Sequence, residues 1–131
     1  MRTLVLFVGF LGACATRAED FGAASAAGAC EWVARCGGLE SSGYASLDDC
    51  VDQTVAGSAA YYKCEIELCE FDPKAVTKCL ATYDKMPCSE ANSETLNSDM
   101  ETLNTNCKAV FTGCDTVDVT ACMSPATLRS R

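Results

Sequence analysis

The residues of this sequence whose type and number could do chemistry are its eleven cysteines. One of them, Cys14, stands apart at the end of the apolar run LVLFVGFLGAC. The other ten form an even set, which in a short chain is typical of a disulfide framework made in an oxidising compartment. We therefore expect five disulfides among Cys30, Cys36, Cys50, Cys64, Cys69, Cys79, Cys88, Cys107, Cys114 and Cys122.

A different chemistry, lipid attachment, is indicated for Cys14. Residues 1–13 have the layout of an export signal, with one positive charge followed by about eight apolar residues, far fewer than the roughly 20 that cross a bilayer. The tetrapeptide LGAC resembles the bacterial lipobox, whose cysteine is lipidated and becomes the first residue of the mature protein. The tripeptide ACA also fits ordinary signal peptidase, with cleavage after Ala15. Either route removes Cys14 from the thiols of the folded domain.

The sequence lacks the residues and spacings that common catalytic and metal-binding sites use. The chain has no histidine, so the usual general base near neutral pH is missing. The closest cysteines, Cys64 and Cys69, are too far apart for a Cys-x-x-Cys metal pair. The acidic stretch CEIELCEFD lacks the glycine turn and the ligand order of an EF-hand. We expect no enzymatic activity, no metal and no cofactor.

The net charge of the chain limits the classes of partner that it can bind. The formal charge of the chain is −8, and such a surface repels phosphate backbones and anionic lipid headgroups. We therefore expect no nucleic-acid partner, and contact with a membrane only through a lipid on Cys14.

Four amphipathic helices are predicted to position the cysteines. The first ends before Gly37, within AGACEWVARCGG, and the second begins at the capping sequence SLDD, with Ser46 as N-cap. Gly57 is a candidate end or kink of this second helix. The third helix begins after Asp72, which is followed by proline, and the fourth begins after Ser93. The expected fold class is all-α, a small disulfide-stapled bundle of about four helices.

The same patterns predict the organisation of the chain. Residues 1–13 are the signal peptide, 14–28 a flexible tether of small residues, 29–123 the cysteine-rich helical domain and 124–131 a disordered tail. The segment CEIELCEF alternates like a strand, but no second strand-like segment is evident for it to pair with. It is therefore predicted to be a loop or a helix end held by disulfides.

An up-down-up-down bundle restricts which cysteines can pair. The fourth helix rises about 21 Å between its start and Cys107, whereas a disulfide requires Cα atoms within about 7 Å. Cys88 precedes that start, so Cys88 and Cys107 should not pair. The layering places Cys36, Cys50 and Cys88 at one end of the bundle, and Cys36 is predicted to pair with one of the other two. It places the following cysteines towards the opposite end: Cys30, Cys64, Cys69, Cys79 and Cys107.

Four cysteine-containing segments carry a resemblance to a group of proteins. They are ACEWVARC, YASLDDC, FDPKAVTKCLATYDKMPC and NCKAVFTGC. They resemble small cysteine-rich exported proteins and predicted lipoproteins of myxobacteria and related bacteria. The resemblance implies a helical disulfide domain behind an export or lipoprotein signal, and it implies no biochemical activity. This chain departs from the pattern by four additional cysteines: Cys64, Cys69, Cys114 and Cys122.

Two functional classes remain open, besides a secreted effector or inhibitor. The first is an interaction or structural module of the cell envelope, held at the outer membrane, periplasm or cell surface by a lipid on Cys14 and binding an envelope protein. The alternative cleavage predicts a soluble secreted protein. The second class is a carrier of a small apolar ligand between helices, although the Cys-x3-Cys spacing of insect odorant-binding proteins is missing. A cavity lined by the aromatic residues would favour the carrier, and a packed core the module. These aromatic residues are Trp32, Tyr61, Tyr62 and Phe111.

Overall fold

The computed structural model describes residues 17–90 and 93–124. The predicted signal peptide, Cys14 and residues 125–131 lie outside the described residues. Within them the chain forms five helices and two short strands, in the following order: α1 (Ala18–Arg35), α2 (Leu47–Leu68), β1 (Glu70–Phe71), α3 (Pro73–Lys85), α4 (Glu94–Lys108), β2 (Phe111–Thr112) and α5 (Thr116–Cys122). The predicted all-α, disulfide-stapled fold is confirmed, with one helix more than expected.

Three of the helices begin at the N-cap residues that the sequence predicts. The hydroxyl of Ser46 accepts a hydrogen bond from the backbone N–H of Asp49 at 3.1 Å, at the start of α2. The Asp72 carboxylate accepts from the N–H of Lys74 at 2.8 Å, at the start of α3. Ser93 caps α4 in the same way. These side chains satisfy N–H groups that have no partner inside a helix, which explains why the helices begin where the sequence predicts.

The predicted tether is wrong over residues 18–28, which form the first three turns of α1. The side chain of Phe21 is only 2% exposed, and Ala24 and Ala26 are also buried. Alanine is the best helix former, and small side chains let neighbouring helices approach closely. The composition that suggested a linker therefore builds a tightly packed helix.

Two features of the middle of the chain also differ from expectation. Helix α2 continues past Gly57, which is exposed, and ends at Leu68. The segment CEIELCEF is accordingly a helix end followed by a strand, β1, which does find a partner. It pairs antiparallel with β2, with Glu70 opposite Thr112 and Phe71 opposite Phe111. A two-residue strand has no periodicity to detect, so the sequence could not reveal β2.

The core is a cluster of aromatic, aliphatic and cysteine side chains. Phe21 of α1 makes edge-to-face contacts with Tyr62 and Phe111, with ring centroids 5.6 and 5.7 Å apart. Val76 and Cys79 of α3 are buried against them. A second cluster lies where α5 meets α2 and centres on the following residues: Cys64, Val119 and Cys122.

Five disulfides connect the helices and the segments between them. Their Cα atoms are 4.5 to 5.9 Å apart, within the range that disulfides require. The pairs are Cys30 with Cys50, Cys36 with Cys88, Cys64 with Cys122, Cys69 with Cys114, and Cys79 with Cys107. Each of the five helices contributes a cysteine, so no helix can leave the bundle while the disulfides are intact.

The predicted pairing is partly correct. Cys36 pairs with Cys88, one of its two predicted partners, and Cys88 does not pair with Cys107. The layering is wrong for Cys30 and Cys50, which were assigned to opposite ends but form a disulfide. The layering took Cys30 to lie at the start of a first helix that begins near Ala29. Helix α1 begins at Ala18 instead, so Cys30 lies only about 8 Å along the axis from the end of α1 and faces the first turn of α2.

Two glycines in helices should respond to alanine in opposite directions. At Gly28 a Cβ atom would lie 2.8 Å from Cδ2 and 3.2 Å from Cγ of Tyr83, whereas at Gly57 it would meet nothing within 4 Å. We expect Gly28→Ala to destabilise the fold by about 1 to 3 kcal/mol, because α1 and α3 must move apart. Gly57→Ala should stabilise it by about 0.5 to 1 kcal/mol. Urea unfolding of both variants checks this, and a stabilised Gly28→Ala would contradict the close packing.

Candidate functional site

The four aromatic residues proposed as ligand contacts occupy different surroundings. Trp32 is partly buried, and its indole N–H donates to the carbonyl oxygen of Pro87 at 3.3 Å. The rings of Tyr62 and Phe111 lie 6.4 Å apart within the core cluster, and Tyr61 packs edge-to-face on Tyr62 at 5.6 Å. Tyr62 and Phe111 therefore fill the space between their elements, whereas Tyr61 covers Tyr62 from the surface and is itself exposed.

Tyr61 also takes part in a polar pair at the surface of α2. Its hydroxyl donates to Oε1 of Glu65 at 2.6 Å. Partial burial and this hydrogen bond raise the pKa of Tyr61 to about 12. Burial also raises the pKa of Glu65, and the hydrogen bond from Tyr61 opposes that shift. The phenol of Tyr61 therefore keeps its proton near neutral pH, and it is too weak an acid to serve as a proton donor there.

One concave surface is a groove of about 540 Å³ between α3 and α4, which we call the lysine groove. One wall belongs to α3 and the other to α4. Its lining residues are Lys74, Thr77, Lys78, Ala81, Thr82, Lys85, Met86, Asp99, Thr102 and Asn106.

The two walls are held together by one covalent bond and one hydrogen bond. Cys79 of α3 is joined to Cys107 of α4, with Cα atoms 4.6 Å apart. The side-chain N–H of Asn106 donates to the hydroxyl of Thr82 at 2.9 Å. Cys79 precedes Thr82 along α3, whereas their partners occur in the reverse order along α4, with Asn106 before Cys107. The two helices are therefore antiparallel. The groove therefore has two walls with a fixed separation.

The charge of the lysine groove is opposite to that of the chain. Lys74, Lys78 and Lys85 are three of only five lysines in a protein with a formal charge of −8. All three side chains are exposed, and none of them forms an ion pair with another residue of the described chain. The three ammonium groups therefore have no carboxylate partner within that part of the chain.

The carboxylate of Asp99 also lines this groove, and one of its two oxygens lacks a hydrogen-bond partner. Oδ2 of Asp99 is buried, and it is the one buried side-chain oxygen or nitrogen in the described residues that has no hydrogen-bond partner. Buried polar atoms in native proteins nearly always have a partner. Because this oxygen is shielded from solvent, a donor can reach it only if the side chains that cover it move.

The lysine groove is not among the sites predicted from the sequence. The signal was present in FDPKAVTKCLATYDK, because positions 74, 78 and 85 fall on one face of a helix at 3.6 residues per turn. What the sequence did not show is that α4 packs beside this face and converts it into a groove.

The described residues offer no metal chemistry and no membrane span. No group of three or more cysteine, aspartate or glutamate side chains among them could hold a metal ion. No helix in residues 17–90 and 93–124 is both long and apolar enough to cross a bilayer.

Comparison of the chain with protein-family models, with curated proteins and with solved structures found no match. A functional assignment must therefore come from the residues and geometry of this chain.

Proposed function

We propose that this protein is an exported, lipid-anchored, disulfide-stapled helical module of the bacterial cell envelope that binds a partner protein. The observation that carries the proposal is the set of five disulfides linking all five described helices. Disulfides at this density persist in oxidising compartments and are rare in the cytosol. They also make a rigid scaffold, which lowers the entropy lost when a surface binds its partner.

The packing of the aromatic residues favours an interaction module over a carrier. A carrier needs an enclosed apolar cavity, whereas Phe21, Tyr62 and Phe111 contact one another directly. The lysine groove is open to solvent and is not an enclosed cavity, and eight of its ten lining residues are charged or polar, which suits a segment of another protein better than an apolar small molecule.

The lipid anchor in this proposal rests on the LGAC sequence and on the position of α1. Because α1 begins at Ala18, only three residues lie between Cys14 and the start of the helix, so the two are four positions apart. Even a fully extended chain of that length spans about 14 Å. A lipid on Cys14 would therefore hold the domain close to the headgroups, and the binding partner would be another component at the same membrane surface.

The anchor is tested by Cys14→Ser in the full chain. A lipidated cysteine carrying a diacylglycerol and an N-acyl chain has three hydrocarbon chains, more than stable anchoring requires. We expect the protein to move from the membrane fraction to the soluble fraction, with its ten other cysteines still paired. The matched control, Cys36→Ser with Cys88→Ser, also removes thiols but should remain in the membrane fraction.

Intact mass spectrometry of the mature protein gives the direct answer. The proposal predicts an N-terminal Cys14 carrying the mass of its lipids. An unmodified chain beginning at Thr16 would overturn the lipid anchor and leave a soluble secreted protein.

A further inference from the structure

We propose that the lysine groove binds an acidic peptide segment of a partner protein in extended conformation. This inference rests on the proposed function and names the chemistry of the partner that the module recognises. Three features of the groove support it: its three lysines, which form no ion pair within residues 17–90 and 93–124, the spacing of these lysines, and the carboxylate of Asp99.

The unpaired lysines indicate an anionic ligand. Three ammonium groups without carboxylate partners line one groove, on a protein that is otherwise strongly acidic. A surface of this kind attracts an acidic segment locally, while the remainder of the protein repels acidic chains that approach elsewhere. The groove thus selects where, and in which orientation, an acidic partner can dock.

The spacing of the lysines fits an extended peptide. Along the axis of α3, Lys74 and Lys78 are about 6 Å apart, and Lys74 and Lys85 about 16 Å. In an extended chain, side chains on the same face repeat every 6.6 to 6.8 Å, roughly the first of these distances. Acidic residues at alternate positions of a five-residue segment can therefore reach all three lysines, since lysine side chains are long and flexible.

Asp99 favours a peptide over a continuous polyanion. Its carboxylate repels a ligand that is negatively charged along its whole length, such as polyphosphate. A peptide can instead place an uncharged residue beside Asp99 and its acidic residues beside the lysines. Three ammonium groups and one carboxylate in the same groove therefore match a ligand whose negative charges are separated by neutral positions.

The groove also holds its shape before a ligand arrives. Met86, at one end, is 4% exposed, and the disulfide between Cys79 and Cys107 fixes the distance between the walls. A bound segment must therefore lose its own conformational entropy, but the groove loses little.

The test uses a synthetic seven-residue peptide with glutamate at positions two, four and six, serine between them and both ends blocked. Binding to the full mature protein is measured by fluorescence anisotropy at low salt. We expect binding that weakens as salt is added, and at least tenfold weaker binding of the peptide in which glutamine replaces each glutamate. The variant Lys74→Glu with Lys78→Glu should weaken binding of the glutamate peptide at least tenfold.

A matched control makes the same change of charge outside the groove. Lys63→Glu with Lys108→Glu alters two exposed lysines that do not line it, and it should weaken binding less than threefold. Circular dichroism verifies that both double variants are folded. Equal losses in the two variants would show that only the net charge matters, and would overturn the proposal.

Two further outcomes would also overturn it. Inorganic tripolyphosphate that displaces the peptide at equal or lower concentration would assign the groove to polyanions in general. Self-association of the protein that is lost in Lys74→Glu with Lys78→Glu would assign it to a second copy of this chain. None of these outcomes bears on the lipid anchor, because the membrane partition of Cys14→Ser does not depend on the groove.

Discussion

Reduction of all five disulfides is expected to unfold the protein at 37 °C. Fourteen apolar residues of the described chain are buried, and five of these are disulfide cysteines. The remaining core is small, and a domain of this size has a total stability of about 5 to 15 kcal/mol. Removing one native disulfide from a small secreted domain typically costs about 2 to 5 kcal/mol. The loss of five bonds therefore exceeds the stability that the apolar core can supply.

Far-UV circular dichroism measures this effect directly. The oxidised protein should show a strong helical signal, and addition of a reductant at neutral pH should abolish most of it in one cooperative step. A sample treated with oxidised reagent at the same concentration serves as the control. A helical signal that survives complete reduction, verified by thiol titration, would show that the core is sufficient without the disulfides.

The second large effect is expected from the disulfide between Cys79 and Cys107. Restriction of the unfolded chain alone favours the bond with the longer loop. It predicts about 3.6 kcal/mol for this bond, with a separation of 28 residues, and about 4.1 kcal/mol for the bond between Cys36 and Cys88, with a separation of 52. Burial reverses the order, because Cys79 is 0% exposed at the centre of the core, whereas Cys88 is exposed.

Alanine and serine replacements separate the two contributions. Cys79→Ala with Cys107→Ala should lose the loop contribution and roughly 1 to 2 kcal/mol more for the cavity that is left. Serine at the same positions should cost about a further 1 to 3 kcal/mol, because a hydroxyl in the core lacks a hydrogen-bond partner.

The bond between Cys36 and Cys88 is the matched control. Its alanine and serine double variants should differ from each other by less than about 0.5 kcal/mol, because the hydroxyl at the exposed end of this bond contacts water. Urea unfolding of the four double variants gives the comparison. If serine costs no more than alanine at Cys79, this cysteine is not in the dry interior that the structure gives it.

Local signals in the sequence account for the features that were predicted correctly. Ser46, Asp72 and Ser93 mark the starts of α2, α3 and α4 because an N-cap needs only a side-chain oxygen a few residues from free N–H groups. The all-α class follows from apolar spacing along single helices. The disulfide framework follows from an even number of cysteines in a short chain.

The errors lie where a helix or strand depends on distant residues. Residues 18–28 read as a tether because alanine, serine and glycine carry little periodic signal, yet Phe21 anchors this segment in the core and Gly28 lies against Tyr83. Strand β2 exists because β1 lies beside it, and its partner residues Glu70 and Thr112 are 42 positions apart in the chain. The periodicity of one segment carries no information about a partner that lies far away in the chain.

The sequence by itself determined the composition of the scaffold, namely helices, ten cysteines, a strongly acidic charge and the lipobox-like LGAC. Only the tertiary structure decided which cysteines meet and where the lysine groove lies. Cys30 pairs with Cys50 because α1 begins at Ala18, which places Cys30 near the end of α1 and beside the first turn of α2. The lysines of α3 line a groove because α4 packs beside them, and Asp99 of α4 lines the same groove. Residue types and periodicity are properties of one segment, whereas disulfide partners and grooves depend on the relative placement of two.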